Sequence, residues 1–183
     1  MERELYEQFL TILKEELIPA GGCTEPITIA YAAAVARKTL GCQPEHMDVY
    51  ASGNLIKNAK AVYIPNGGTL RGVDAAAVLG ALGGDADRAL EVLLDLPDGV
   101  LEQTQALLQQ GYGAVHVLRG MEALHLIVNV QADGQSAEVE LKNAHTHIVR
   151  VEKNGETVFR AGGSDTQDGL TDHSCLTVGR IVE

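Results

Sequence analysis

Tryptophan is absent from this 183-residue chain, phenylalanine occurs twice and cysteine three times. So few aromatic rings leave no stacking platform for single-stranded nucleic acid. Basic residues are also scarce, 14 Lys and Arg against 25 Asp and Glu, and the net charge of -11 argues against nucleic acid or an anionic membrane surface as a partner. No apolar run approaches the roughly 18 residues that a membrane span requires. The N-terminus, Met1-Glu2-Arg3-Glu4, lacks the basic region and apolar stretch of a signal peptide. Cys23, Cys42 and Cys175 lie far apart, an odd and sparse set that predicts reduced thiols rather than disulfides. The expectation is a cytoplasmic protein. A P-loop, a dinucleotide-binding glycine pattern and a CxxC pair are all missing. No lysine is marked for a Schiff base, so pyridoxal phosphate is not expected.

What is present suffices for a core, because 45% of residues are apolar. Leu5, Phe9, Leu13 and Leu17 recur at helical spacing and predict an amphipathic helix over 3–18. Pro19 and Gly21-Gly22 end it. A second helix is predicted to start near Glu25-Pro26, where proline suits the first turn. Its body, 27–40, is apolar on nearly every face and should be buried. Short strands are predicted at 46–51 and 61–64 around the polar stretch Ser52–Asn58, with a turn at Pro65-Asn66-Gly67-Gly68. Helices follow at about 73–82, 86–95 with Asp85 as N-cap, and 98–110. From Gly113 the pattern alternates, with hairpin signals at Asp133-Gly134 and Asn154-Gly155. The prediction is an α+β fold: N-terminal helices with short strands, then a mostly antiparallel sheet of four to five strands. Residues 161–173 read as a loop, and a new apolar pattern starts at Ser174. The expected organisation is one N-terminal domain of a longer enzyme, helical over about 1–112, a sheet over 113–160, and a connection over 161–183 to a further C-terminal domain or second subunit.

Three segments could carry chemistry. Gly21-Gly22-Cys23-Thr24-Glu25-Pro26 puts a cysteine at a helix N-terminus behind two glycines. Helix dipole and free N–H groups there favour thiolate, the form that serves as nucleophile or metal ligand. A plain helix-entry turn with an inert cysteine reads the same residues. Ser52, Asn54, Lys57 and Asn58 gather hydroxyl, amide and ammonium donors suited to an amino-acid carboxylate; the plainer alternative is a turn with a solvated lysine. His145 and His147 in Asn143-Ala144-His145-Thr146-His147 are spaced to share one face of a strand, with His116 and His125 on neighbouring predicted strands. That spacing suits a metal pair or an acid–base group, while an ordinary strand histidine with one hydrogen bond is the simpler account.

Taken together, GGCTEPITIAYAAAVAR at 21–37, SGNLIKNAKAVYIPN at 52–66, LGALGGDADRALEVL at 79–93 and AHTHIVRVEKNGETVF at 144–159 resemble the L-cysteine desulfidases, which are similar to the iron–sulfur L-serine dehydratases. The resemblance implies the N-terminal half of an α,β-eliminating lyase acting on L-cysteine, giving hydrogen sulfide, pyruvate and ammonia, or on L-serine. It implies Cys23 as one ligand of a four-iron, four-sulfur cluster completed by cysteines outside this chain, with Cys42 and Cys175 structural. It further implies Glu25 and His145 as catalytic residues, and Thr24, Ser52, Asn54, Lys57 and Asn58 as substrate-binding residues. His147 stands where the family often has asparagine. Association with copies of itself is compatible with all of this. The competing expectation is a stand-alone domain that holds a metal or small ligand on the histidine-bearing sheet.

Overall fold

The computed structural model describes residues 3–120, 122–162 and 172–181. Two compact units emerge, one formed by Met1–Pro19 with Gly162–Glu183, the other by Ala20–Ala161. In the first, α1 covers Arg3–Glu16 and buries Ile12. A 3-10 turn at His173–Cys175 buries Cys175, and a one-turn helix, Val178–Ile181, follows. Most of the expected loop, 163–171, lies outside the described residues.

The second unit is a two-layer α+β body. Helix α2 covers Thr24–Leu40 and ends on Gly41 in the left-handed conformation, where glycine avoids the Cβ penalty. Its alanines at 30, 32, 33, 34 and 36 are fully buried, as its apolar pattern predicts. Small residues let another helix approach closely. Helix α4, Val73–Gly83, crosses α2 so tightly that a Cβ on Gly80 would lie 2.2 Å from the Ala30 carbonyl oxygen. Helix α5 covers Val100–Gln109.

The sheet holds six strands: β1 His46–Ser52, β2 Ala114–Leu118, β3 His125–Ala132, β4 Gln135–Lys142, β5 Ile148–Lys153 and β6 Glu156–Arg160. Their order is β2-β1-β3-β4-β5-β6, antiparallel except for the β1–β2 pair. Asp133-Gly134 and Asn154-Gly155 all take positive φ, the primed-turn geometry that the two hairpin signals predict. On one face Met47, Val49, Leu126, Val128, Val139 and Leu141 are fully buried. The other face is polar: Arg150 donates to Glu138, Glu140 and Glu152, and His125 and Lys142 also meet Glu140. Burial pushes the Glu140 carboxyl up, but Lys142, Arg150 and His125 outweigh it and hold the group down to about 2.

Three expectations need correction. The polar stretch after β1 is a helix, α3 Gly53–Ala59, because the Ser52 hydroxyl caps Leu55 N–H and Leu55 and Ala59 reach the core. Residues 61–64 form no strand and only an isolated bridge joins Tyr63 to Arg71. The helix predicted at 86–95 is a 3-10 turn, Ala86–Glu91, broken at Ala89 with φ 46 and ψ -115. That fold-back brings Leu90, Val92 and Leu93 into the core.

Candidate functional site

The two-glycine entry to α2 is held from both sides. Gly21 N–H donates to the Leu90 carbonyl at 3.0 Å. Gly22, at φ 154, packs so closely on Pro65 that a Cβ there would lie 2.6 Å from the ring. Pro65 belongs to a turn that Asn66 ties down by donating to the Leu93 carbonyl at 2.9 Å. The loop that presents Cys23 is therefore fixed rather than free. Pro65 and Leu90 are supports that the sequence reading missed; only the Pro-Asn-Gly-Gly turn signal hinted at the first.

Cys23 occupies the N-cap position of α2, yet its sulfur makes no cap bond. The thiol instead donates to Glu25 Oε2 at 3.3 Å. The Thr24 hydroxyl donates to the same oxygen at 3.4 Å. Asn58 Nδ2, from α3, donates to Glu25 Oε1 at 3.2 Å. The first two motifs thus meet at one carboxylate. Within α3, Asn54, Lys57 and Asn58 stand three and four residues apart, so they share a helix face. Asn54 and Lys57 are exposed. Ser52 is not part of this arrangement: it is 6% exposed, caps α3 and donates to the Ala123 carbonyl at 2.8 Å.

The electrostatics differ from the sequence expectation. Partial burial, then the hydrogen bond and charge of Glu25, raise the Cys23 thiol above its ordinary value. Burial and the neighbouring carboxylate together outweigh the backbone N–H groups at the helix start, which lower it; a helix dipole contributes only about 0.3–1 kcal/mol at an exposed site. Burial pushes the Glu25 carboxyl up as well. Its own backbone N–H, the Cys23 thiol, His145 and Asn58 outweigh that and hold it below the usual carboxylate range. His145 is half-buried and close enough to Glu25 for its charge to be felt.

The histidines are not arranged as expected. His145 and His147 sit in the turn between β4 and β5, not on a strand. His116 on β2 and His125 on β3 are separated by β1. They meet different carboxylates: His116 lies 2.7 Å from Asp48, which His46 also meets at 2.9 Å, and His125 lies 2.9 Å from Glu140. Among the described residues, no group of three or more His, Cys, Asp or Glu side chains could hold a metal ion. Nor do the thiols of this unit converge. Cys23 and Cys42 lie at opposite ends of α2, a helix of 17 residues and so about 25 Å long. An iron–sulfur cluster needs several thiolates around one centre, and Ala20–Ala161 offers one at this corner. The unit Ala20–Ala161 by itself does not supply the thiolates of such a cluster.

No family model and no solved structure matches the chain. Curated proteins do. A UPF0597 protein of Lachnoclostridium phytofermentans is 44% identical over 179 residues, 98% of this chain and 43% of that protein. One from Treponema denticola is 38% identical over 185 residues, covering 100% and 43%. One from Aeromonas hydrophila is 38% identical over 178 residues, covering 94% and 41%.

The chain is similar to UPF0597 proteins. This corrects the resemblance to L-cysteine desulfidases and serine dehydratases. The match to the Lachnoclostridium protein covers 98% of the chain, and the name it carries is UPF0597, which specifies no activity. The chain spans about 43% of the length of these first relatives. No helix among the described residues is long and apolar enough to cross a membrane.

Proposed function

We propose that the corner formed by Cys23, Glu25, Asn58 and Lys57 is this chain's share of a site that eliminates hydrogen sulfide or water from a small amino acid, L-cysteine or L-serine. The observation that carries the proposal is the convergence of a thiol, a hydroxyl and an amide on the Glu25 carboxylate, with an exposed cation on the same helix face as Asn58. A zwitterionic amino acid needs an anion for its ammonium and donors for its carboxylate. Glu25 supplies the first, and Lys57 with Asn54 and Asn58 the second. In the overall reaction the Cα proton is removed and the Cβ–S or Cβ–O bond breaks with its electron pair. The resulting enamine tautomerises and is hydrolysed by one water to pyruvate and ammonia. Glu25 and His145 form the proton-handling pair: a carboxylate held ionised accepts and positions a proton, and the nearby imidazole can take or return it.

Cys23 is proposed as one thiolate ligand of a four-iron, four-sulfur centre whose other ligands lie outside this chain. Such a centre would supply Lewis acidity toward the leaving sulfur or oxygen. Unpaired cysteines suit a reducing, cytoplasmic setting. The partners follow from this reading: a small amino acid, and the remainder of a protein of the relatives' length or a second subunit. The histidine-bearing sheet as a metal site has no support among the described residues: His46 and His116 share Asp48, His125 meets Glu140, and no group of three or more His, Cys, Asp or Glu side chains could hold an ion.

The substrate arm is tested by Lys57→Ala in the protein at the length of its relatives. Losing a charge-assisted contact to a carboxylate is expected to lower kcat/KM for the amino acid about tenfold to a hundredfold while iron content per chain stays constant. Unchanged kcat/KM would remove Lys57 from the site.

A further inference from the structure

Beside α2, on the flank that faces β5 and β6, lies an open hollow of about 410 Å³ lined by Tyr31, Thr146, His147, Ile148, Val151 and Phe159. Tyr31 stands six residues beyond Glu25, about 9 Å further along the helix, and the turn that brings His145 near Glu25 supplies Thr146 and His147 to the hollow. Phe159 leaves 49% of its surface exposed, in a chain with only two phenylalanines. Its β-strand partner Val151 is buried on the helix side of the sheet, which places the Phe159 ring on the same side.

One polar atom in this wall is oriented. His147 Nδ1 meets the Lys142 carbonyl oxygen at 3.0 Å. A carbonyl accepts only, so Nδ1 carries the proton and Nε2 of the neutral ring presents a lone pair. The backbone holds the ring in place: Lys142 N–H donates to the His147 carbonyl at 3.1 Å, and His147 N–H to the Ala144 carbonyl at 3.1 Å. Nε2 has no hydrogen-bond partner among the described residues. The lining contains no Lys, Arg, Asp or Glu side chain, so an ionic ligand would find no counter-charge there.

We infer that this hollow is a binding site for a small, neutral, ring-bearing molecule with one O–H or N–H donor, the ring lying against Tyr31 and Phe159 and the donor meeting His147 Nε2. Concave sites of about 300–1,000 Å³ with mostly apolar walls and one or two placed polar groups are the usual form of small-molecule sites, and aromatic walls favour a ring. The inference is independent of the elimination chemistry.

The test is a methyl-resolved NMR titration of the 183-residue chain with p-cresol and, separately, toluene, which has the same ring and no donor. p-Cresol is expected to shift the Ile148 and Val151 methyls saturably, with a dissociation constant on the order of millimolar. Toluene should bind the same methyls about fivefold to tenfold more weakly. In His147→Ala, an exposed substitution that leaves the core intact, the two ligands should bind alike. Equal binding of both by the unaltered chain, a p-cresol preference that survives His147→Ala, or no saturable shift of these methyls would overturn the inference.

Discussion

At the scale of single residues, partial burial and Glu25 together raise the Cys23 thiol. A cysteine at a helix N-terminus is ordinarily a candidate thiolate, and the glycine pair before it makes that reading attractive from sequence alone. The structure adds an acceptor 3.3 Å from the sulfur, which stabilises the protonated thiol. A metal ion would have to displace that proton, and Glu25 is the group beside it to receive it. If the carboxylate is the cause, Glu25→Gln should make Cys23 more reactive. Iodoacetamide labelling at pH 7, resolved by peptide mass, is expected to be about threefold or more faster at Cys23 in the variant, with Cys42 as internal reference. Equal rates would assign the raised thiol to burial alone. The type of residue at this corner was legible in the sequence, since GGCTEP names both the thiol and the carboxylate. Their mutual effect was not, because a two-residue spacing on paper does not say that the Glu25 side chain folds back onto the cap. Ser52 failed in the opposite sense: a polar residue beside Asn54 and Lys57 reads as a binding group, whereas serine is also a favoured N-cap, and the structure uses it so.

Among the elements, the contact between α2 and α4 fixes the corner's position, because α2 carries Cys23 and Glu25 at its first turn. Their approach is closest at Gly80, where the Ala30 backbone occupies the space of a side chain. Rigid backbone cannot yield as a flexible side chain would. Gly80→Ala is therefore expected to lower unfolding stability by about 3 kcal/mol, read as a drop in the urea midpoint at constant m-value. A change within about 0.5 kcal/mol would contradict the packing described. The apolar surface of α2 and both hairpin turns could be read from sequence, because helical burial and Asn-Gly or Asp-Gly turns have strong local causes. Helix α3 and the 3-10 turn could not. One is short and depends on its cap, and the other is bent at Ala89, a non-glycine at positive φ that no propensity foretells.

On the scale of the whole molecule, the α+β class followed from helices preceding strands. Strand β1 was predicted, but its place inside the sheet was not: pairing β1 parallel with β2 and antiparallel with β3 is a long-range choice that sequence periodicity does not encode. The unit Ala20–Ala161 brings two separated motifs to one carboxylate and supplies one thiol there. On the function proposed above, that corner is one part of the site, in a chain that spans about 43% of the length of its first relatives. The central claim is that Cys23 is one ligand of a cluster the chain cannot hold alone. Anaerobic reconstitution with iron and sulfide, followed by iron analysis and the visible absorption spectrum, tests it on three proteins: residues 1–183, the protein at the relatives' length, and that longer protein with Cys23→Ser. The account predicts no stable cluster on residues 1–183, about four irons per chain on the longer protein, and loss of most of that iron with Cys23→Ser. A stable cluster on residues 1–183, or one on the longer protein that is indifferent to Cys23→Ser, would contradict it.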